Sequence, residues 1–226
     1  MINNKQKINI ILCSIVLILS YVFMITKFFC HNDFLNVFLK GSASIFFVLC
    51  CIFNIIFSNQ QDKKISINKW FLLAGQIFAC AGDITLNFNF KTGTALFAIG
   101  HIMFFISFFL IKKFRYTDIF IIILICTISI LTISFIPNIH LGNFASIVYG
   151  YSIFISIMLA SAILIFNDKK ILKQHRTLIF TGAFLFYLSD FMLLLFMFSG
   201  HNIFFDMLCL ILYYPAECLL ALSAKY

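Results

Sequence analysis

Charged residues are scarce in this chain. Only 11% of the 226 residues are Asp, Glu, Lys or Arg, whereas about a quarter of a soluble domain is charged, and 63% are hydrophobic. The mean hydropathy is +1.07. No stretch between the apolar runs is long enough for a soluble domain, and there is no linker or low-complexity tail. The sequence therefore excludes a soluble protein and predicts one integral-membrane domain over residues 1–226.

Three patterns that signal other kinds of site are also missing. The eight cysteines form no CxxC pair and lie mostly within apolar runs, which gives no support for a disulfide framework. Of the five histidines only His101 lies deep in an apolar run, whereas a catalytic zinc site needs several protein ligands. The basic residues form no continuous patch with interleaved aromatics, so the net charge of +8 indicates no nucleic-acid partner. We therefore expect no metal, no cofactor and no nucleic acid.

Eight apolar runs approach the length of about 20 residues that crosses the hydrocarbon core of a bilayer. They cover residues 8–29, 34–57, 70–90, 94–111, 118–137, 144–166, 177–199 and 203–224. All but Lys27, Lys40 and Lys91 of the 16 Lys and Arg residues fall on one side of these spans, and short basic loops face the cytoplasm. We predict an all-α fold, a polytopic transmembrane bundle of eight helices with both termini cytoplasmic, in a bacterial plasma membrane.

Two aspartates interrupt the apolar runs, Asp83 in the third predicted span and Asp190 in the seventh. A carboxylate inside a membrane is costly, and intramembrane acids usually have a function. A small-residue face beside Asp83, partly repeated beside Asp190, predicts that both side chains face protein and not lipid. Their surroundings match at one constant offset, which suggests a parallel 4+4 repeat. The matched pairs are Lys69 and Arg176, Gly75 and Gly182, Asp83 and Asp190, and Leu86 and Leu193.

Lys40 and His101 are further polar residues inside predicted spans. Lys40 lies early in the second span, where it can extend to the outer headgroups, bind a lipid phosphate or pair with an aspartate. His101 lies near the centre of the fourth span, where a buried histidine hydrogen-bonds a neighbour. The second span starts on the side where the third and seventh end, so Lys40, Asp83 and Asp190 are predicted to share the outer half of the bilayer. A purely structural role stays open, in which each aspartate pairs with Lys40 or His101.

The last span contains Tyr213 and Glu217, one turn apart on one helix face. Tyr213 is a predicted donor toward the aspartates, whereas Glu217 lies nearer the cytoplasmic end and is predicted to face water or the interface. Asp118 and Asp206, at span ends, are predicted to be solvated. Four other polar residues in spans serve either as interhelical hydrogen-bonders or as pocket lining, namely Asn54, Asn87, Tyr149 and Tyr151.

Five motifs give the chain a family resemblance. They are FLKGSAS around Lys40, AGDITL around Asp83, ALFAIGHIMFF around His101, AFLFYLSDFMLL around Asp190 and LYYPAECLL around Tyr213. With these motifs the chain resembles the YhhN family of eight-span membrane proteins, whose characterised members are lysoplasmalogenases. Two positions depart from the family pattern: Gly41 stands where the family usually has proline, and Glu217 where it often has glutamine.

The resemblance implies a hydrolase that cleaves the vinyl-ether bond of a lysoplasmalogen, giving a fatty aldehyde and a glycerophospho-alcohol. It implies Asp83 and Asp190 as catalytic acids and a lysophospholipid as partner, with no cofactor. The implied substrate-binding residues are Lys40, His101, Tyr213 and Glu217. Two acids, one protonated and one ionised, suit acid catalysis on an ether. The rival hypotheses are a proton-coupled transporter, since deep aspartates also relay protons, and a non-catalytic lipid-binding membrane protein.

Overall fold

The structure, a computed structural model, describes residues 4–30, 32–58, 67–112, 115–137 and 139–226. This part of the chain is helical and contains no strand. Its long helices are α1 (Asn4–Phe29), α2 (Asp33–Ile56), α3 (Ile67–Thr85), α4 (Phe90–Ile111), α5 (Tyr116–Phe135), α6 (Ala145–Asn167), α7 (Lys173–Phe198) and α8 (Ile203–Ser223). A short 3₁₀ turn, Gly142–Phe144, precedes α6. The predicted all-α class is confirmed.

Seven of these helices are long and apolar enough to cross a membrane. The exception is α3, which has 19 residues and carries Asn68, Lys69, Gln76 and Asp83. The chain is therefore a multi-pass membrane protein. The count of eight spans, the 4+4 repeat and the cytoplasmic termini stay predictions, and Lys63, Lys64 and Lys113 of the basic loops lie outside the described residues.

The third helix is shorter than predicted. It ends at Thr85, and a tight turn leads into α4, whose start is capped by Asn89 accepting a hydrogen bond from the backbone N–H of Thr92 at 3.1 Å. Asp83 therefore lies in the last turn of α3, whereas Asp190 lies eight residues before the end of α7. The two aspartates thus lie at different distances from the C-terminal ends of their helices, although their distances from the helix starts at Ile67 and Lys173 nearly match.

Successive helices run in opposite directions through the bundle. At one end the Lys5 ammonium donates to the carbonyl of Phe57 at 3.1 Å, which joins the start of α1 to the end of α2. At the other end, which we call the far end, α1, α3, α5 and α7 finish. There the backbone N–H of His140 donates to the carbonyl of Phe198 at 3.2 Å. Side chains near the end of α3 can therefore meet those near the starts of α2 and α8.

The most central helix is α8, which packs against α1, α2, α3 and α7. In contrast, α5 packs its backbone against α6 alone among the described helices, although the hydroxyls of Ser129 on α5 and Tyr187 on α7 lie 2.7 Å apart. Between α5 and α7 the surface of α6 therefore forms the floor of a narrow cleft. A side chain on α8 is enclosed on most sides, whereas one in this cleft lies near the lipid.

The small-residue face of α3 packs directly on aromatic rings of α4. A Cβ atom added at Gly75 would lie 2.6 Å from the ring of Phe104, and one added at Gly82 would lie 2.8 Å from the ring of Phe97. Both distances are shorter than any van der Waals contact, so only glycine fits without a shift of the ring. The close approach of α3 and α4 holds Asp83 at the far end of the bundle.

Candidate active site

Asp83 is buried, with 2% of its surface exposed, and three donors from two other helices surround its carboxylate. The Lys40 ammonium lies 3.3 Å from Oδ1. Ser44, one helical turn after Lys40, donates its hydroxyl to Oδ2 at 2.6 Å. Tyr213 donates to the same oxygen at 2.7 Å from α8. Three roles were considered for Lys40, and in this structure it pairs with an aspartate.

Asp190 has a separate set of partners on α4 and α6. His101 Nε2 lies 3.2 Å from Asp190 Oδ2, and the Tyr151 hydroxyl donates to that oxygen. His101 Nε2 also lies 2.8 Å from the Tyr151 oxygen. A hydroxyl has one hydrogen, and Tyr151 gives its hydrogen to Asp190, so Nε2 must carry the ring proton in this arrangement. The three side chains form a closed triangle in which every contact has a donor.

An aromatic wall separates these two polar sets and fixes their orientation. The centroid of the Phe186 ring lies 4.8 Å from that of the His101 ring and 5.2 Å from that of the Tyr213 ring, and both pairs are edge-to-face. The centroid of the Phe97 ring lies 6.0 Å from that of the Tyr213 ring. Such packing leaves the tyrosine little rotational freedom. The hydroxyl that contacts Asp83 is therefore positioned by the core and not by the hydrogen bond alone.

Both aspartates line one cavity at the far end of the bundle. Its volume is about 210 Å³, and Lys40 and Tyr213 also line it. No hydrogen bond joins the two carboxyls among the residues that the structure describes, so each acid keeps its own partners while both reach the same space. The sequence-predicted residues Asp83, Asp190, Lys40 and Tyr213 are thus brought together around this cavity, and His101 contacts Asp190 from outside its lining.

Glu217, like His101, is a predicted site residue that does not line the cavity, and it contacts neither aspartate. It is fully buried, and the Gln76 amide donates to its Oε2 at 2.8 Å. The prediction that Glu217 faces water or the interface is wrong, because α8 is enclosed by four other helices at this level. Its other carboxyl oxygen has no hydrogen-bond partner in the described part of the chain. Glu217 lies one helical turn after Tyr213 on α8, behind the residues that line the cavity.

Two aspartates that were predicted to be solvated are buried instead. Asp118, 6% exposed, accepts from the Lys112 ammonium at 2.6 Å and from the backbone N–H of Arg115 at 3.0 Å. Asp206, 4% exposed, forms an ion pair with Lys27 and lines the same cavity as the two central aspartates. In both cases a lysine on another helix or loop supplies a partner that the position in the chain did not suggest.

Ser44 beside Asp83 and Gln76 beside Glu217 were not predicted, and Tyr151 was predicted only as an interhelical hydrogen-bonder or a pocket-lining residue. Ser44 had a detectable signal, because it lies one turn from Lys40 and therefore on the same helix face. Tyr151 had none that set it apart from Tyr149, whose hydroxyl lies 3.1 Å from that of Ser134 on α5. Among the described residues no group of three or more His, Cys, Asp or Glu is placed to hold a metal ion.

One family model matches the chain. The match covers residues 35–224, and the model is described as the YhhN family. It includes every residue of the two polar sets around Asp83 and Asp190. No curated protein and no solved structure matches.

Proposed function

The chain belongs to the YhhN family, and we propose that it hydrolyses the vinyl-ether bond of lysoplasmalogens in a bacterial plasma membrane. The observation that carries this proposal is the shared cavity, because two buried acids from separate helices reach the same small volume. Vinyl-ether hydrolysis needs a proton donor, and two carboxyl groups in different protonation states supply both that donor and an anion that stabilises the cation, without a nucleophilic serine. A glycosidase uses a pair of carboxyl groups in a comparable way.

The reaction begins with protonation of the β carbon of the vinyl ether by a carboxylic acid. This step produces an oxocarbenium ion, which a nearby carboxylate stabilises. Water then adds to the carbon that bears the ether oxygen and releases a proton, which restores the acid. The resulting hemiacetal collapses to a fatty aldehyde and a glycerophospho-alcohol. One water molecule is consumed, and the protein returns to its starting state.

We assign the carboxylate role to Asp83 and the acid role to Asp190. Lys40 supplies a counter-charge at 3.3 Å from Asp83, and two hydroxyls donate to the other oxygen of that carboxyl. Asp190 has no lysine or arginine partner among the described residues, and both of its hydrogen bonds are to Oδ2. Its Oδ1 therefore remains for the proton that is transferred.

The apolar space beside Asp190 has room for the first methylene groups of an amphiphile's hydrocarbon chain. The cleft between α5 and α7 contains a cavity of about 40 Å³, lined by Asp190 and Tyr151 together with Ile133 and Leu194. Asp190 thus lines both the cavity that it shares with Asp83 and this apolar cleft. A vinyl ether is likewise the junction between the polar glycerol and the apolar chain of its lipid. We propose that the scissile bond lies beside Asp190 with the chain in this cleft.

Aldehyde release from a 1-alkenyl lysophospholipid by purified protein in detergent tests the proposal. Asp83→Asn and Asp190→Asn each keep the shape of the side chain and remove its acid chemistry, so each should lower the rate at least about 100-fold, the lower range of general acid–base contributions. Asp33→Asn is the matched control, because Asp33 is exposed in the first turn of α2.

Unchanged aldehyde release in both central variants would refute the assigned chemistry. Absence of aldehyde from every wild-type preparation, together with proton-coupled solute uptake by vesicles, would favour a carrier in its place.

A further inference from the structure

A second pair of opposite charges lies at the mouth of the cavity. Lys27, in the last turn of α1, contacts the Asp206 carboxylate in the first turn of α8. Both residues line the same cavity as Asp83 and Asp190. The Asp206 side chain is 5% exposed and that of Lys27 is 34% exposed. The pair therefore faces the cavity and is shielded from bulk water on its anionic side.

Aromatic rings surround the cation of this pair. The Lys27 ammonium lies 6.0 Å from the centroid of Phe23, 5.9 Å from Phe28 and 5.7 Å from Phe196. Phe23 and Phe196 also line the cavity. Ring faces attract ammonium groups, and an ammonium from a ligand benefits from the same surface as the lysine does. A carboxylate beside aromatic rings is a suitable receptor for an amine.

The pair adds little as a helix clamp. A buried ion pair seldom stabilises a fold more than apolar side chains of the same size would, because both charges lose their hydration. The first helix already packs along α2 and α8 through apolar contacts that include the buried Val16 and Phe23. A charged pair that is placed on a cavity wall without a clear gain in stability is a candidate for ligand contact.

The positions along the helices match the layout of a lysophospholipid. Lys27 lies two residues before the end of α1, and Asp206 three residues after the start of α8. Asp190 lies eight residues before the end of α7, which is about 12 Å along the helix. The ion pair is thus at the level of the headgroups, and Asp190 lies deeper, where the bond between glycerol and chain is placed.

We propose that Lys27 and Asp206 form the headgroup subsite and select a zwitterionic phospho-amine headgroup. Lys27 binds the phosphate, and Asp206 with its neighbouring rings binds the amine. A headgroup with a phosphate and no amine leaves the Asp206 carboxylate facing a second anion, which costs binding free energy. This inference rests on the proposed hydrolysis for its substrate but not for its binding test.

The experiment compares 1-alkenyl lysophospholipids that carry either an ethanolamine or a glycerol headgroup. The wild type should have a lower KM for the ethanolamine lipid. Asp206→Asn should reduce that preference about tenfold through KM, the lower range of one charge-assisted hydrogen bond, while kcat changes little for either lipid. Lys91→Gln is the control, because Lys91 also lies over a phenylalanine ring near this end of the bundle but does not line the cavity.

A charge swap separates recognition from a structural clamp. The double variant Lys27→Asp with Asp206→Lys can re-form the ion pair between α1 and α8. If the pair only joins these helices, the swap restores the KM ratio and the melting temperature of the wild type. If the pair binds the headgroup, the swap restores the melting temperature but does not restore the preference for the ethanolamine lipid. An identical headgroup preference in the wild type, Asp206→Asn and the swap would overturn the inference.

A direct binding measurement tests the headgroup subsite without relying on catalytic turnover. The probe is a 1-alkyl lysophosphoethanolamine, whose saturated ether cannot undergo the reaction. About tenfold weaker binding of this lipid by Asp206→Asn is the expected result. Equal binding by the wild type and Asp206→Asn overturns the subsite. Failure of the wild type to release aldehyde while the binding difference persists overturns the proposed hydrolysis and leaves the subsite intact.

Discussion

Removal of the Tyr213 hydroxyl alone should slow the reaction without unfolding the protein. Tyr213→Phe keeps a ring that packs against Phe47, Phe97 and Phe186, and it deletes one donor at 2.7 Å from Asp83. A hydrogen bond to a charged group contributes about 1.5–3 kcal/mol. If that energy is realised in the transition state, kcat falls about 10- to 150-fold.

The stability of the variant should change much less than its rate. Asp83 keeps Lys40 and Ser44 as partners, so no buried carboxylate is left without a donor. We therefore expect a small shift in the melting temperature in detergent and an intact helical circular dichroism spectrum. The assay is the single-turnover rate of aldehyde release, which separates the chemical step from lipid binding and product release.

The adjacent tyrosine provides a control. Tyr214 is fully buried in the same helix, and its hydroxyl donates to neither Asp83 nor Asp190. Tyr214→Phe should therefore leave the rate near that of the wild type. Equal rates for Tyr213→Phe and Tyr214→Phe would refute the argument that the Asp83 contact acts in catalysis. A large loss of thermal stability in Tyr213→Phe would indicate that the contact is structural.

Two further substitutions have matched controls. Tyr151→Phe should lower aldehyde release about 2- to 10-fold, because it removes one of the two donors that hold the Asp190 carboxyl in place; Tyr149→Phe, whose hydroxyl lies by Ser134 on α5, should leave the rate unchanged. Equal rates for these two variants would argue against a role for the Asp190 triangle. Gly82→Ala should destabilise the fold by about 1–3 kcal/mol, because the new Cβ would lie 2.8 Å from a phenylalanine ring of α4. Gly150→Ala, which meets nothing within 4 Å, should leave the melting temperature in detergent unchanged or slightly higher, and equal melting temperatures for both glycine variants would contradict the packing argument.

The helices and the importance of the two aspartates were predictable, because both depend on properties that are local in sequence. Apolar runs of sufficient length locate helices, and a carboxylate inside such a run stands out whatever surrounds it. The end of α3 at Thr85 was missed because Leu86, Phe88 and Phe90 extend the apolar run beyond it, although Asn87 and Asn89 interrupt that run. Asn89, the cap of α4, was the available signal.

The surroundings of each side chain were not predictable in the same way. The position of Glu217 near the end of an apolar run suggested water, but its burial depends on which four helices enclose α8. Tyr149 and Tyr151 lie two residues apart in one helix and so point in different directions. Only the packing order of α4, α5, α6 and α7 decides which of them reaches an aspartate. Neighbour relations between helices are absent from local sequence patterns.

The loose attachment of α5 has a consequence for how products separate. The cleft that it leaves over α6 lies at the side of the bundle and is lined mostly by apolar residues, whereas the charged mouth of the other cavity lies at the end of the bundle. For the proposed reaction a fatty aldehyde can diffuse sideways into the bilayer, and a glycerophospho-alcohol can dissolve in water. The two products then enter different phases and seldom meet again. Partitioning of this kind makes the reverse reaction slow without any contribution from the catalytic groups.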